Sequence, residues 1–429
     1  MKLLNLAFKN LSRHKTKTII TSTAIAIGVW LYIFIDAWLS GIQIDSKRNL
    51  INFEIGSVKI YKKEYFEKKD EIPMYESFKN YEKIIERLDK EGYNASPRIK
   101  FTGSLLSKEI ELPFLFIGVN PELEKRVFKT HEFIEKGTFV EDNLFGIVLG
   151  IKGAKDLGVD IGDTVKLSTV IDKKDENNKI KHIYQVMELR VIGIINSTNS
   201  IINGKIAYLP LSILQDEMGL MLEGHITEIC IRKKDANFTE LPKNSEKAKF
   251  IENKIKDLLP GDLILVDWDK DAKDYISVSS GDAILSYITI ALLLTLAVIG
   301  IANTMLMAVT ERTKEIGMLK ALGTKDSEIS LLYFMEAGLI GFIGAFAGII
   351  LGIITNLYMV NIGIDYTEFF EKSNMENIGY RVIGIFKSIW NWDKIVLSGI
   401  FSTLIASLTA YFPVKRALKI NIVDALRFE

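Results

Sequence analysis

The chain has 429 residues, room for two or three domains, and carries 54 basic and 54 acidic side chains for a formal net charge of zero. That balance excludes recruitment of nucleic acid or acidic substrates by a global field, and no basic stripe interleaved with aromatics offsets it. The single cysteine, Cys230, excludes an internal disulfide framework; within TEICIRK it reads as an inward-facing strand residue.

Hydrophobic residues make up 48% of the chain, high beside so many charges, and they are segregated. Four runs, Ile19–Leu39, Ile284–Val309, Leu331–Val360 and Ile395–Phe412, reach the roughly 20 apolar residues a bilayer crossing takes. Residues 1–18 put Leu3, Leu4, Ala7, Phe8 and Leu11 on one helical face opposite Lys2, Lys9 and Arg13, which suits a helix lying on the inner leaflet. The first span, 19–39, is longer than a cleavable signal core and no A-x-A-like site follows it, so it reads as an uncleaved anchor. Asp36 lies inside that span, either as a functional group or as a carboxylate reaching water at its outer end.

Residues 40–282 read as a folded α+β domain with stalk-like ends. GSVKIYKKEY alternates like a strand, and SFKNYEKIIERLDKEGY carries Phe78, Tyr81, Ile84, Ile85 and Leu88 at helical spacing up to Gly92. Strands are expected in ASPRIKFTGSLL, IELPFLFIGV, LFGIVLG, GDTVKLSTVI, YQVMELRVIGIIN, HITEICIRKK and LILVDW, and helices in IKGAKDLGV and SEKAKFIENKIKDLLPG. The portion from about 100 to 224 is richest in strands and suggests an inserted subdomain. A second span follows at 283–309, a short amphipathic helix at 310–328, a third span at 329–360, a loop at 361–394, a fourth span at 395–413 and a tail at 414–429.

Basic residues crowd the N-terminus, the segment holding Arg312, Lys314, Lys320 and Lys325, and the tail holding Lys415, Arg416, Lys419 and Arg427. By the positive-inside rule all three are cytoplasmic, and 40–282 and 361–394 lie outside. The expected fold class is an α-helical membrane protein with four transmembrane helices and a large α+β extracytoplasmic domain inserted between the first two.

Catalytic patterns are absent. His14, His131, His182 and His225 are scattered, no HExxH or G-x-S-x-G occurs, and no metal set is expected. GAKDLGVD has P-loop-like glycines at Gly153 and Gly158, yet Val159 and Asp160 stand where Lys and Ser/Thr must be. No bound cofactor is expected. The spans lack the polar rings of a solute pore. They do carry packing signals: Gly344, Gly348 and Gly352 in the third span, and Ser398, Ser402 and Ala406 in the fourth, let helix backbones approach closely within the subunit or across a dimer seam.

The segment ERTKEIGMLKALG pairs Glu311 with Lys314 and Arg312 with Glu315 at helical i,i+3 spacing, puts Ile316 and Leu319 on one face with Gly323 and Met318 and Leu322 beside it, and ends at that glycine. Thr324 or Asp326 is expected to cap the next helix. Fixed to spans at both ends, such a helix either transmits force or rests on lipid headgroups.

This segment, with PVKRALKINIVDALRFE at the C-terminus and the order of one span, a large outer domain and three spans, resembles the MacB/FtsX-like permease family of ABC transporters. Within the outer segment GSVKIYKKEYFEKK and GVNPELE look most like its lipoprotein-releasing LolC/LolE branch. The resemblance implies that Glu311, Arg312, Lys314, Glu315, Ile316, Leu319, Lys320 and Gly323 form a coupling helix docking on a separate ABC ATPase. Two ATPase copies would bind ATP and Mg, and a second permease, identical or paralogous, would complete the assembly. The protein would then be a multi-pass inner-membrane permease with both termini cytoplasmic and no catalysis of its own. It would drive its outer domain to release a lipoprotein to a periplasmic carrier. MacB-like export of peptides or toxins and FtsX-like control of a cell-wall enzyme are the alternatives.

Overall fold

The computed structural model describes residues 15–142, 145–174, 180–215, 220–277, 309–368 and 381–419, with isolated positions from 281 to 307. The chain falls into two units, one of Met1–Ile42, Ser280–Asp365 and Ile385–Glu429, the other of Gln43–Ser279 and Tyr366–Gly384.

In the first unit, three helical stretches among the described residues are long and apolar enough to cross a membrane: Thr18–Ile55, Asp326–Asn361 and Trp392–Leu418. The expected second span falls largely outside the described residues; its described positions are helical. Leu3 to Arg13 of the expected interfacial helix, and the tail from residue 420, also lie outside them. Helix α1 (Lys15–Asn49) continues past the expected boundary at Leu39.

Helix α4 (Asp326–Asn361) meets α1 through its glycines. A Cβ on Gly344 would lie 2.6 Å from the Ser22 carbonyl oxygen, one on Gly348 2.5 Å from that of Ala26, and one on Gly352 2.9 Å from Ile33 Cγ2. Without a hydrophobic drive between helices in lipid, this close approach supplies the packing. Gly341 faces α5 (Trp392–Thr409), where its Cβ would lie 2.6 Å from that of the buried Ala406. Ser398 and Ser402 are half-buried beside that seam and line a groove of about 430 Å³ with Gly28, Val29 and Tyr32. Asp36 is buried and paired: Lys394 Nζ lies 2.7 Å from its Oδ1, and Asn391 Nδ2 donates to its Oδ2 at 2.8 Å.

The second unit is built on a mixed ten-stranded sheet: β1 (Val58–Lys62), β2 (Tyr93–Ser107), β3 (Ile110–Val119), β4 (Ile134–Gly137), β5 (Gly146–Gly150), β6 (Thr164–Lys174), β7 (Ile180–Ile195), β8 (Ile206–Pro210), β9 (Glu228–Lys233) and β10 (Leu263–Asp267). The order is β10-β1-β9-β2-β3-β8-β5-β7-β4, with β6 pairing β2 and β7. No break isolates residues 100–224. β2 runs unbroken from Tyr93 to Ser107, pairing β9 at its start and β3 and β6 further along. The expected strand GSVKIYKKEY ends at Lys62, and Lys63–Glu67 turns helical.

Side chains alternate across a strand. On one face Val58, Ile60, Ala95, Ile99, Phe101, Ile229 and Ile231 form the main core with Ile84, Leu88, Ile251 and Ile255 from two amphipathic helices. The other face of the same strands carries Lys59, Ser96, Arg98, Glu228, Cys230 and Arg232, all buried. This polar face is covered by α2 (Pro121–Val127) and by Leu50–Ile55, a π-helical turn closed by the Gly56 N–H donating to the Ile51 carbonyl at 2.9 Å. Gly56 has φ +78°, and a Cβ there would lie 3.0 Å from the Ile231 carbonyl oxygen, so the entry into β1 favours glycine.

Lys59, Arg98 and Glu228 are matched by opposite charge, while Arg232, whose pKa burial lowers to about 10, is met by the Asn52 amide oxygen and the Phe238 ring. Glu228 accepts from Lys59 Nζ at 3.1 Å and lies 3.0 Å from Lys100 Nζ, while Lys59 also lies 3.4 Å from Asp271. Burial alone would raise the Glu228 pKa, but Lys100 and Lys59 outweigh it and hold the carboxyl well below the usual range. Burial pushes the Cys230 thiol up to about 12, so it stays protonated.

Two outcomes follow from this packing. Gly348→Leu forces a side chain into the α1 backbone and lowers stability in detergent by about 1–3 kcal/mol, whereas Ile343→Leu on the exposed side of the same helix stays within about 0.5 kcal/mol. Equal thermal shifts for the two would contradict the assigned seam. Glu228→Gln takes the carboxylate from Lys100 and leaves Lys59 with Asp271 as its remaining acidic partner, and costs about 3–5 kcal/mol at pH 7 in urea unfolding. The folded carboxyl titrates below its unfolded value, so its stabilisation is complete above about pH 4.3 and is lost as the pH falls toward the folded pKa. The wild-type advantage therefore shrinks in acid; an advantage constant from pH 7 to pH 2 would overturn the assignment.

Candidate coupling surface

Helix α3 (Thr313–Ala321) lies between the described end of the second span and α4. Its inner side is apolar: Ile316 packs with Val309, Ile329, Tyr333, Val414 and Ala417, and Leu319 and Leu418 close the cluster. Val414 and Ala417 come from α6 (Tyr411–Leu418), where Pro413 sits in the first turn and no intrahelical N–H is lost.

Arg312 fixes the start of α3. Its Nε donates to Glu315 Oε2 at 2.9 Å, and its Nη1 donates to both carboxylate oxygens of Glu336 in α4 at 2.9 and 3.0 Å. The guanidinium carbon lies 5.3 Å from the centroid of the Tyr333 ring. Lys320 fixes the other end, donating to the Leu418 carbonyl at 2.8 Å and pairing with Asp326 at 3.3 Å.

Gly323, at φ +87°, ends the helix. The Thr324 N–H donates to the Leu319 carbonyl at 3.1 Å and the Gly323 N–H to that of Lys320 at 3.0 Å, which together make a Schellman stop. Neither Thr324 nor Asp326 caps the next helix. Lys325 holds the N-cap position, and the Glu328 carboxylate reaches back to its N–H at 3.3 Å, while Asp326 and Glu328 favour the positive helix start.

The eight residues singled out from the sequence therefore divide. Arg312 and Ile316 are buried and anchor the helix; Glu315, Leu319 and Lys320 are half-buried; Glu311, Lys314 and Gly323 are exposed. The outward side also presents Met318, 48% exposed, and Leu322, 83% exposed. Met318 and Leu322, which helical spacing places beside the Ile316 and Leu319 face, stand free on a helix buttressed from behind. Glu336 was missed, although a carboxylate within an apolar run is a signal in its own right.

Among the described residues no group of three or more His, Cys, Asp or Glu is placed to hold a metal ion. The outward side of α3 is an exposed ridge of mixed polar and apolar side chains.

Comparison with known proteins agrees with a two-part chain. Residues 18–240 match the MacB-like periplasmic core domain, and residues 287–422 match the FtsX-like permease C-terminal domain. The chain is 26% identical over 436 residues to an uncharacterized ABC transporter permease of Methanocaldococcus jannaschii, covering 100% of this chain and 98% of that one. It is 22% identical over 426 residues to the lipoprotein-releasing system transmembrane protein LolC of Neisseria meningitidis, covering 96% and 94%. The macrolide export ATP-binding/permease protein MacB of Escherichia coli is 34% identical over 131 residues, 30% of this chain and 17% of that one. With a core-domain match over half its length and a permease match over residues 287–422, this chain belongs to the MacB/FtsX-like family of ABC transporter permeases.

Proposed function

We propose that this chain is the permease subunit of an assembly in which ATP is hydrolysed on a separate ATPase and the motion is passed to the core domain. The observation that carries the reading is the ridge of Met318 and Leu322 on a helix braced by Arg312, Glu336 and the Ile316 cluster. An apolar residue as exposed as Leu322 is a natural anchor for a partner pocket. The absence of a usable P-loop at Gly153–Asp160 puts the energy source on that partner.

In this arrangement two ATPases face two permease chains, identical or paralogous, with the coupling helix and both termini cytoplasmic and the core domain outside. The proposed cargo is a lipoprotein, taken from the outer leaflet and handed to a soluble carrier. The likeness to LolC supports this because the aligned stretch runs along 96% of the chain, whereas the stretch aligned with the Escherichia coli MacB covers 30%. Export through further envelope partners and control of a cell-wall enzyme are the competing outcomes.

Leu322→Asp removes the anchor and adds a charge to an apolar contact. It weakens ATPase retention in mild detergent by about 2 kcal/mol or more, roughly thirtyfold, with unchanged membrane insertion. Full retention would refute the docking surface. Gly323→Ala has free space around its Cβ, so its cost of about 1–2 kcal/mol is conformational, arising from the positive φ, and appears as loss of transport-coupled ATP hydrolysis. Depleting the chain in cells tests the cargo. Lipoproteins retained in the membrane support release, and normal lipoprotein localisation with altered wall cleavage or export refutes it.

A further inference from the structure

Residues Tyr366–Gly384, from the connection between α4 and α5, belong to the core-domain unit. The described part of that segment is held at Arg381. Its backbone N–H donates to Ser46 Oγ at 2.6 Å, its carbonyl accepts from Asn49 Nδ2 at 2.7 Å, and its Nε donates to Glu54 Oε1 at 3.1 Å. These three partners lie along one stretch of chain, from the end of α1 into the π-helical turn. The guanidinium also lies 5.7 Å from the centroid of the Tyr275 ring, whose hydroxyl donates to the same Ser46 Oγ.

The network continues into the loop between β7 and β8. The Ile383 N–H donates to the Thr198 carbonyl at 3.0 Å. Asn49 exchanges hydrogen bonds with Thr198, through Oδ1 at 3.0 Å and Nδ2 at 3.1 Å, and Asn199 Nδ2 donates to Glu54 Oε1 at 2.7 Å. Arg381 and Ile383, with Asn49 and Glu54, thus join three separate parts of the chain: the end of α1 with the turn that follows it, the β7–β8 loop and the α4–α5 connection.

Such contacts contribute little to stability. The Arg381 and Glu54 side chains are 24% and 17% exposed, and both border a polar cavity of about 280 Å³ that also receives Lys59 and Asp271. A partly solvated ion pair is screened. Its geometry is nonetheless specific, since side-chain and backbone groups of one residue are all engaged at fixed points. Weak net stability with specific register suits a contact that sets position.

We propose that Arg381 is a positioning residue that registers the α4–α5 connection on Ser46, Asn49 and Glu54, giving displacement of the last two spans its own path to the β7–β8 loop. This rests on the transmission reading above and adds a route that starts from the α4–α5 connection rather than from the spans flanking the core domain. Displacement at either end of the network then changes the hydrogen bonding of Thr198 and Asn199.

The test is hydrogen exchange on the complete permease–ATPase complex in nanodiscs, with and without trapping by Mg-ATP and vanadate. Wild type shows a nucleotide-dependent exchange difference in peptides covering Ser197–Lys205. Arg381→Glu, with complex yield and basal ATP hydrolysis unchanged, reduces that difference about threefold or more. Asn49→Ala does the same should Arg381→Glu fail to assemble, and Arg381→Lys, which keeps the charge and the backbone contacts, restores most of it. A full wild-type difference in Arg381→Glu or Asn49→Ala overturns the proposal, as does exchange raised equally in both nucleotide states, the mark of a merely structural contact. No nucleotide-dependent change anywhere in the wild-type core domain overturns the transmission reading itself, and this route with it.

Discussion

The core domain depends on one constraint: the polar face of its central strands is buried, so each charge on it must be answered. Lys59 on β1, Glu228 and Arg232 on β9, and Arg98 on β2 stand at alternate positions opposite the apolar core. Arg98 donates through Nε to Glu124 at 3.2 Å and through Nη1 to the Glu54 carbonyl at 2.8 Å, and its guanidinium lies 3.6 Å from the centroid of the Phe128 ring. Arg232 donates to Asn52 Oδ1 at 2.8 Å and stacks 3.7 Å from the Phe238 centroid. Removing one partner of such a pair leaves an uncompensated buried charge, which costs more than the pair itself contributes.

Both arginines also reach the residues leading out of α1. Glu54 and Asn52 lie in the π-helical turn Leu50–Ile55, and Phe53 between them enters the second apolar cluster with Val119, Ile202 and Tyr208. The turn is gripped through its backbone by Arg98, through an amide side chain by Arg232 and through an aromatic ring by the core. A π-helical turn is a strained way to end a helix; here it brings Asn52, Phe53 and Glu54 onto the sheet in consecutive positions. The chain enters β1 only after this grip, at Gly56.

Much of this was legible in the sequence, and what was not has a physical reason. Period-two alternation located β1, β2 and β9 and predicted that Cys230 faces inward. It gives the set of residues sharing a face but carries no information on whether that face meets water. The polar residues of HITEICIRKK and SPRIK would suit an exposed side equally well, and only the covering segment decides. In the coupling region, helical spacing gave α3, the Arg312–Glu315 pair and the stop at Gly323. It missed Glu336 because that carboxylate is 24 residues from Arg312 in sequence and one hydrogen bond away in space. The glycine stripe of α4 was readable as a seam, but its partner α1 was not, since small residues declare close approach without naming what approaches.

The same physics recurs in both units. Where hydrophobic drive is absent between helices, glycines admit the α1 backbone to α4, and the half-buried Asp36–Lys394 pair ties α1 to α5. Where the core domain has polar faces to bury, matched charges again determine register. Hydrophobic packing tolerates small slips because neighbouring methyl groups are interchangeable. A buried guanidinium does not, because a shift of one hydrogen-bond length leaves its charge unanswered. Segments that keep their registration are therefore held by paired charges and not by apolar contact alone. The concentration of paired charges at α3, at Asp36 and around Leu50–Ile55 follows from that requirement: they lie where one segment of the chain is handed to the next.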